Sequence, residues 1–275
     1  SIATILRKKV LFKEHALEMC TISSIFNAII CFILAPFFFT SISFQGILLI
    51  YFVSLLAATG ILYRSKARRH LELSVTEPLM NLSPLFLLVI SFFILGEKLN
   101  YIQLYGVFLL ILGAYVIEAD HNISSLLDPI KHALHSKHTH HLFFALIVFA
   151  FSATLDKIVL NKYADAISFA ILVWIFISIN YTILLYFRFG LHRFRKSFKH
   201  DWKILSISSI FHFSSVILYY IAVSMSFVSL VIPIKRLSTL FSTLIGGKIF
   251  HDHGLIVKVI GCIIALGGAF MIVLF

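Results

Sequence analysis

Nine apolar stretches dominate this chain, each close to the length of about 20 residues that a helix needs to cross the hydrocarbon of a bilayer. They run near 19–38, 44–63, 76–96, 100–118, 142–161, 166–187, 204–224, 228–250 and 254–275. Backbone groups in lipid must be satisfied within the segment, and these stretches are too long and continuous for barrel strands, so helices are the only reading. Only 13% of the residues are charged, against about 25% in soluble domains, and the mean hydropathy is +1.00. The expected fold class is therefore an all-α transmembrane protein.

The net charge of +11 does not indicate a nucleic-acid binder. The basic residues sit in short clusters between the apolar stretches, with no helix-turn-helix or RNA-reading motif around them. Flanking charge that orients membrane helices accounts for them. Cys20, Cys31 and Cys262 fall inside apolar stretches at unrelated spacings, which suits small packing residues and not a disulfide or zinc framework.

Internal repetition sharpens the fold. A shift of 155 residues lays Pro78 on Pro233, Ser83 on Ser238, Phe86 on Phe241, Glu97 on Asp252, Gly106 on Gly261, Gly113 on Gly268 and Ala114 on Ala269. Near the start a shift of 149 pairs Lys8 with Lys157, Val10 with Val159, Leu11 with Leu160 and Lys13 with Lys162. Residues 1–13 then read as the tail of a helix whose counterpart is 142–161. The expectation is a ten-helix inverted repeat of two five-helix bundles, with the first helix largely missing from this chain and about nine full spans present. Residues 1–118 form the first repeat, 119–141 a His-rich polar linker and 142–275 the second repeat. Five helices is an odd number, so successive copies enter the bilayer from opposite sides, an arrangement many secondary carriers use.

The run from Val75 to Glu118, VTEPLMNLSPLFLLVISFFILGEKLNYIQLYGVFLLILGAYVIE, resembles the EamA-type repeat of the drug/metabolite transporter superfamily. Its prolines early in one helix, the acid that ends that helix and the glycine-bearing helix that follows carry the likeness. The second copy, VIPIKRLSTLFSTLIGGKIFHDHGLIVKVIGCIIALGGAF, repeats the pattern with Asp252 in a His-Asp-His run, and SATLDKIVL from Ser152 to Leu160 is similar to the end of the family's sixth helix. The resemblance implies a metabolite carrier, with amino acids and related compounds as common cargo.

Orientation follows from the bias of Lys and Arg between alternate connections. Arg7, Lys8, Lys9, Lys13, the Arg64–Arg69 run, Lys131, Lys137 and the basic 188–203 stretch lie at one end, against Lys98, Lys157 and Lys162 at the other. The first end is read as cytoplasmic, which puts both termini of a ten-span protein outside, whereas the family resemblance implies both inside.

A charge within a span costs roughly 2.5–3.5 kcal/mol on insertion scales and so calls for a partner or an aqueous cavity. Lys235 and Arg236 follow Pro233, about 10 Å of helix rise into their span. Two adjacent cations there could hold a carboxylate or phosphate, or could snorkel to the interface. Asp156 and Lys157 could offer contacts to a zwitterion or pair with neighbouring charges, and Asp156, Glu77 and His212 are the candidates for proton coupling. His212 with Tyr219 and Tyr220, and Trp174 with Asn180 and Tyr181, add aromatic and polar candidates, for which helix-to-helix bonding and interfacial anchoring are the alternatives. Asn81, Ser83 and Ser238 lie beside the repeated prolines, where loosened backbone could face a cavity. Glu97 and Asp252 are read as hairpin determinants or gating residues, and Gly106, Gly113, Gly261, Gly267 and Gly268 as close-packing positions. The linker carries His121, His132, His135, His138, His140 and His141. It is read as a solvated loop in preference to a metal site, since no cysteine accompanies it.

The function expected is secondary transport of a small polar or amphiphilic metabolite by alternating access, with substrate residues Lys235, Arg236, Asp156, Lys157, His212, Tyr219, Trp174, Asn81, Ser83 and Ser238. No metalloprotease, serine-hydrolase or nucleotide-binding motif is present, so no enzyme activity, cofactor or metal is expected. A transport-inactive accessory protein and a membrane-embedded enzyme are the alternatives. The partners expected are the metabolite, the bilayer and a coupling proton or ion, with the chain a monomer or homodimer in a bacterial inner membrane.

Overall fold

The computed structural model describes residues 7, 10–11, 14–71, 80, 82–118, 137–235 and 255–274, except the side chains of 114, 117–118, 137, 191–201, 255–259, 262 and 272–274. Among the described residues the regular structure is entirely helical: α1 (Ala16–Phe38), α2 (Phe44–His70), α3 (Ser83–Leu95), α4 (Tyr101–Glu118), α5 (Lys137–Lys162), α6 (Ala166–Gly190), α7 (Trp202–Met225), α8 (228–235) and α9 (Leu255–Leu274). Five of them are long and apolar enough to cross a membrane: α1, α2, α5 from His138, α6 and α7. Large apolar side chains such as Phe32, Phe37, Phe93, Phe187 and Met225 face outward. A water-exposed surface would not tolerate so many, but lipid solvates them. The chain is an integral multi-pass membrane protein.

Local chemistry sets the helix ends. At α1 the His15 ring accepts from the Leu17 amide (3.3 Å) while Glu18 accepts from the His15 amide (3.0 Å), a reciprocal cap. Asn100 and Gln103 do the same ahead of α4, at 2.7 and 3.1 Å. Ser43 caps α2 by accepting from the Gly46 amide (3.2 Å). Gly96 ends α3 at φ 67, a left-handed conformation that costs glycine nothing.

The basic 188–203 segment departs from the sequence reading. In place of a loop, the backbone stays helical on both sides of Gly190, which alone breaks the path at φ 71, ψ 172. Only glycine adopts that conformation without strain, so α6 and α7 meet at a sharp joint. His138, His140 and His141 likewise lie on the first turn of α5, with His138 stacked on His70 at 4.1 Å. His121, His132 and His135 lie outside the described residues.

Packing joins residues far apart in sequence. α1 lies against α6 and α7, where Thr21 donates to the Tyr181 carbonyl (3.4 Å) and Ser209 to the Ser23 carbonyl (3.2 Å). α2 packs on α5, with Gly60 under the Phe149 ring. α4 and α9 cross antiparallel: a Cβ on Gly113 would meet Gly261 O and Ala265 N, and one on Gly268 would meet Gly106 O and Leu110 N. Small residues at both contacts let the backbones touch. Gly267 differs from the sequence reading, because its Cβ position faces open space.

Connections 39–43, 96–100, 163–165 and 226–227 gather at one end, and the basic ends of α2 and α6 lie at the other. The Thr40 hydroxyl ties two of those connections together, donating to Asp165 at 2.6 Å.

Candidate functional site

Towards the basic end, helix periodicity brings polar groups onto facing surfaces. Met19, Cys20 and Ser23 share a face of α1, Ile61, Arg64, Ser65 and Arg68 a face of α2, and Trp174 and Tyr181 a face of α6. Together with Arg7 and Leu11 they enclose a cavity of about 30 Å³. Cys20 donates to Ser65 (3.3 Å), and the Tyr181 hydroxyl donates to the Ala58 carbonyl. The Arg64 guanidinium also lies 5.0 Å over the Phe149 ring, a cation–π contact that eases its burial.

Several donors in this region meet no acceptor. Nε and Nη2 of Arg7 and the indole Nε1 of Trp174 are buried without a hydrogen-bond partner. One turn beyond Ser23, both amide atoms of the fully buried Asn27 are also unsatisfied. Trp174 meets His212 edge-on at 5.1 Å, and the Nδ1 of His212 is buried without a partner. Native interiors leave few such groups, so their concentration here sets this region apart from the rest of the packing.

Nearer the opposite end a second polar group forms. Lys235 Nζ sits 3.8 Å over the Tyr219 ring. Tyr219 contacts Tyr220 at 5.2 Å, and Tyr220 contacts Phe169 at 4.7 Å. Asp156 is buried within electrostatic reach of Lys235. Lys157 turns away from Asp156 and donates to the carbonyls of Val223 (2.7 Å) and Ser224 (3.3 Å), satisfying two groups that the end of α7 leaves open.

Glu97 closes this end. Its carboxylate accepts from the amides of Val228 (3.0 Å) and Ser229 (3.2 Å) and from the Ser229 hydroxyl, so it caps α8 from a different helix hairpin.

Of the residues singled out from sequence, Asp156, Lys235 and Tyr219 come together, Trp174 and His212 come together, and Lys157 stands apart as a cap. Ser83 is buried at the start of α3. Arg236, Asn81, Ser238 and Asp252, with Glu77, lie outside the described residues. Arg7, Arg64 and Arg68 were read only as orienting charges, yet they line the cavity. The spacing of Arg64, Ser65 and Arg68 on one helical face was the signal available for two of them.

No curated protein matches the chain. A crystal structure described simply as that of a protein superposes on 100% of this chain and 99% of its own, with a TM-score of 0.63 at 12% identity. At that identity the likeness speaks for the fold alone. Residues 1–119, which contribute the α1 and α2 walls of the cavity and the α3 end bearing Glu97, match the EamA-like transporter family. The match likens residues 1–119 of this 275-residue membrane protein to the EamA-like transporters of the drug/metabolite transporter superfamily.

Proposed function

We propose that the chain is a secondary carrier of a small polar or amphiphilic metabolite, working by alternating access between two inverted repeats. The observation that carries this reading is where the polar groups sit. Arg7, Arg64, Cys20 and Ser23 from the first half of the sequence face Trp174, Tyr181 and His212 from the second, across a seam between apolar helices. Burying so many polar groups there is costly unless they serve passage.

The antiparallel crossing of α4 and α9, each the last helix of a proposed repeat, supports the inverted arrangement. The two ends also differ in closure. Glu97 and Lys157 bond across helices at one end, and the Arg-lined cavity lies towards the other. A carrier occluded between two gates has this form. His212 and Asp156 are the titratable groups within the seam suited to proton coupling, and the setting proposed is a bacterial inner membrane.

Purified protein in liposomes should exchange labelled amino acids and related organic compounds in a saturable way. Absence of flux across a broad panel of neutral, cationic and anionic solutes would overturn the reading.

A further inference from the structure

We infer that the cavity at Arg7, Arg64 and Arg68 binds the oxyanion head, a carboxylate or phosphate, of a small organic anion that is the carrier's cargo. This rests on the carrier reading for the word cargo, while the binding site stands on its own geometry.

Three guanidinium side chains line one enclosed cavity, and no carboxylate lines it among the described residues. Arg7 directs the argument, because its Nε and Nη2 are buried with no acceptor, as is Nε1 of Trp174 on the facing helix. Nε and Nη of a guanidinium form the fork that matches a carboxylate or phosphate edge. The hydroxyl and thiol protons nearby are already committed, Tyr181 to Ala58 and Cys20 to Ser65. The cavity therefore holds unsatisfied donors on Arg7 and Trp174 and, among the described residues that line it, no negatively charged acceptor to meet them.

Size limits what enters in this conformation. About 30 Å³ is room for about two waters, which suits a carboxylate or phosphate head and excludes a whole metabolite. The body of the ligand would lie along the seam towards Asn27 and His212, where further polar atoms are unsatisfied and the Trp174 ring supplies an apolar wall. A cationic solute would meet the like charge of three guanidinium groups at the cavity. The shift of 149 that relates the copies places Arg7 on Asp156, so matched positions carry opposite charges and only the basic end is set for an anion.

The test uses the full chain in detergent, with melting followed against inorganic phosphate, succinate and putrescine. Phosphate or succinate should stabilise it saturably and putrescine should not. Arg7→Ala should weaken the anion effect by about tenfold or more, Arg7→Lys should restore part of it, and Trp174→Phe, which keeps the ring and removes the N–H, should weaken it by about threefold or more. Stabilisation by putrescine alone, or an anion effect indifferent to all three variants, would overturn the inference. Stabilisation by phosphatidylglycerol in nanodiscs without any response to soluble anions would overturn it too, by assigning the site to lipid. Flux of neutral or cationic solutes in liposomes with anions inert would leave the carrier standing and remove the anion site. Arg7-dependent anion binding without flux of any solute would keep the site and remove the carrier.

Discussion

Glu97 and Ser229 are 132 positions apart in sequence, yet the carboxylate of one accepts from both the amide and the hydroxyl of the other. The bond fastens the hairpin after α3 to the first turn of α8, and with Val228 it satisfies three donors that burial would otherwise strand.

Replacing Glu97 by alanine leaves those donors buried and unmatched. The expected loss is about 1–3 kcal/mol, read as a melting temperature several degrees lower in detergent. Glu97→Gln should recover part of it, since one carbonyl acceptor remains. A melting curve for Glu97→Ala that overlays the parent would remove the latch.

Adjacent glycines on α9 should respond differently. A Cβ on Gly268 would stand 2.5 Å from Gly106 O and 2.7 Å from Leu110 N, both backbone atoms that cannot rotate away, whereas one on Gly267 meets nothing within 4 Å. Gly268→Ala must push α4 and α9 apart at about 1–3 kcal/mol. Gly267→Ala should be neutral or slightly stabilising, because alanine is the better helix former by up to about 1 kcal/mol. Equal melting shifts for the two variants would show that the crossing is looser than described.

Asp165 supplies a pH signature outside the spans. Partial burial pushes its carboxyl up, but hydrogen bonds from Ser168, Thr40 and the Ile167 amide outweigh this and hold it below the usual carboxylate range. A lowered folded value stabilises the protein above the unfolded carboxylate pKa of about 3.9. That contribution disappears as pH falls through the folded value. Asp165→Ala should cost about 1 kcal/mol at neutral pH through loss of the α6 cap. The gap between parent and Asp165→Asn should shrink from pH 7 to pH 3, and a gap that widens on acidification would contradict the assignment.

Orientation can be read with a reporter. α9 runs antiparallel to α4, so its last turns approach the Glu97 end, opposite the basic ends of α2 and α6. With the basic end cytoplasmic, alkaline phosphatase fused after Phe275 should be active in a bacterial host. A cytoplasmic reporter signal at that position would reverse the assignment.

The helical, membrane-spanning character of the chain was legible in the sequence. Span length and hydropathy are properties of each segment against the bilayer and need no knowledge of its neighbours. The glycines read as close-packing positions, Gly267 excepted, likewise sit at the backbone contacts of α4 and α9, though which helices they join was not legible. Tertiary structure decided which polar groups meet. Arg64 and Arg68 had the pattern of interfacial charges until packing of α1 and α6 enclosed them with Arg7 and Trp174. Lys157 had an acid beside it in sequence and found two carbonyls of α7 instead. Consecutive residues on a helix diverge by about 100°, so side-chain partners are set by the neighbouring helix and not by adjacency in the chain.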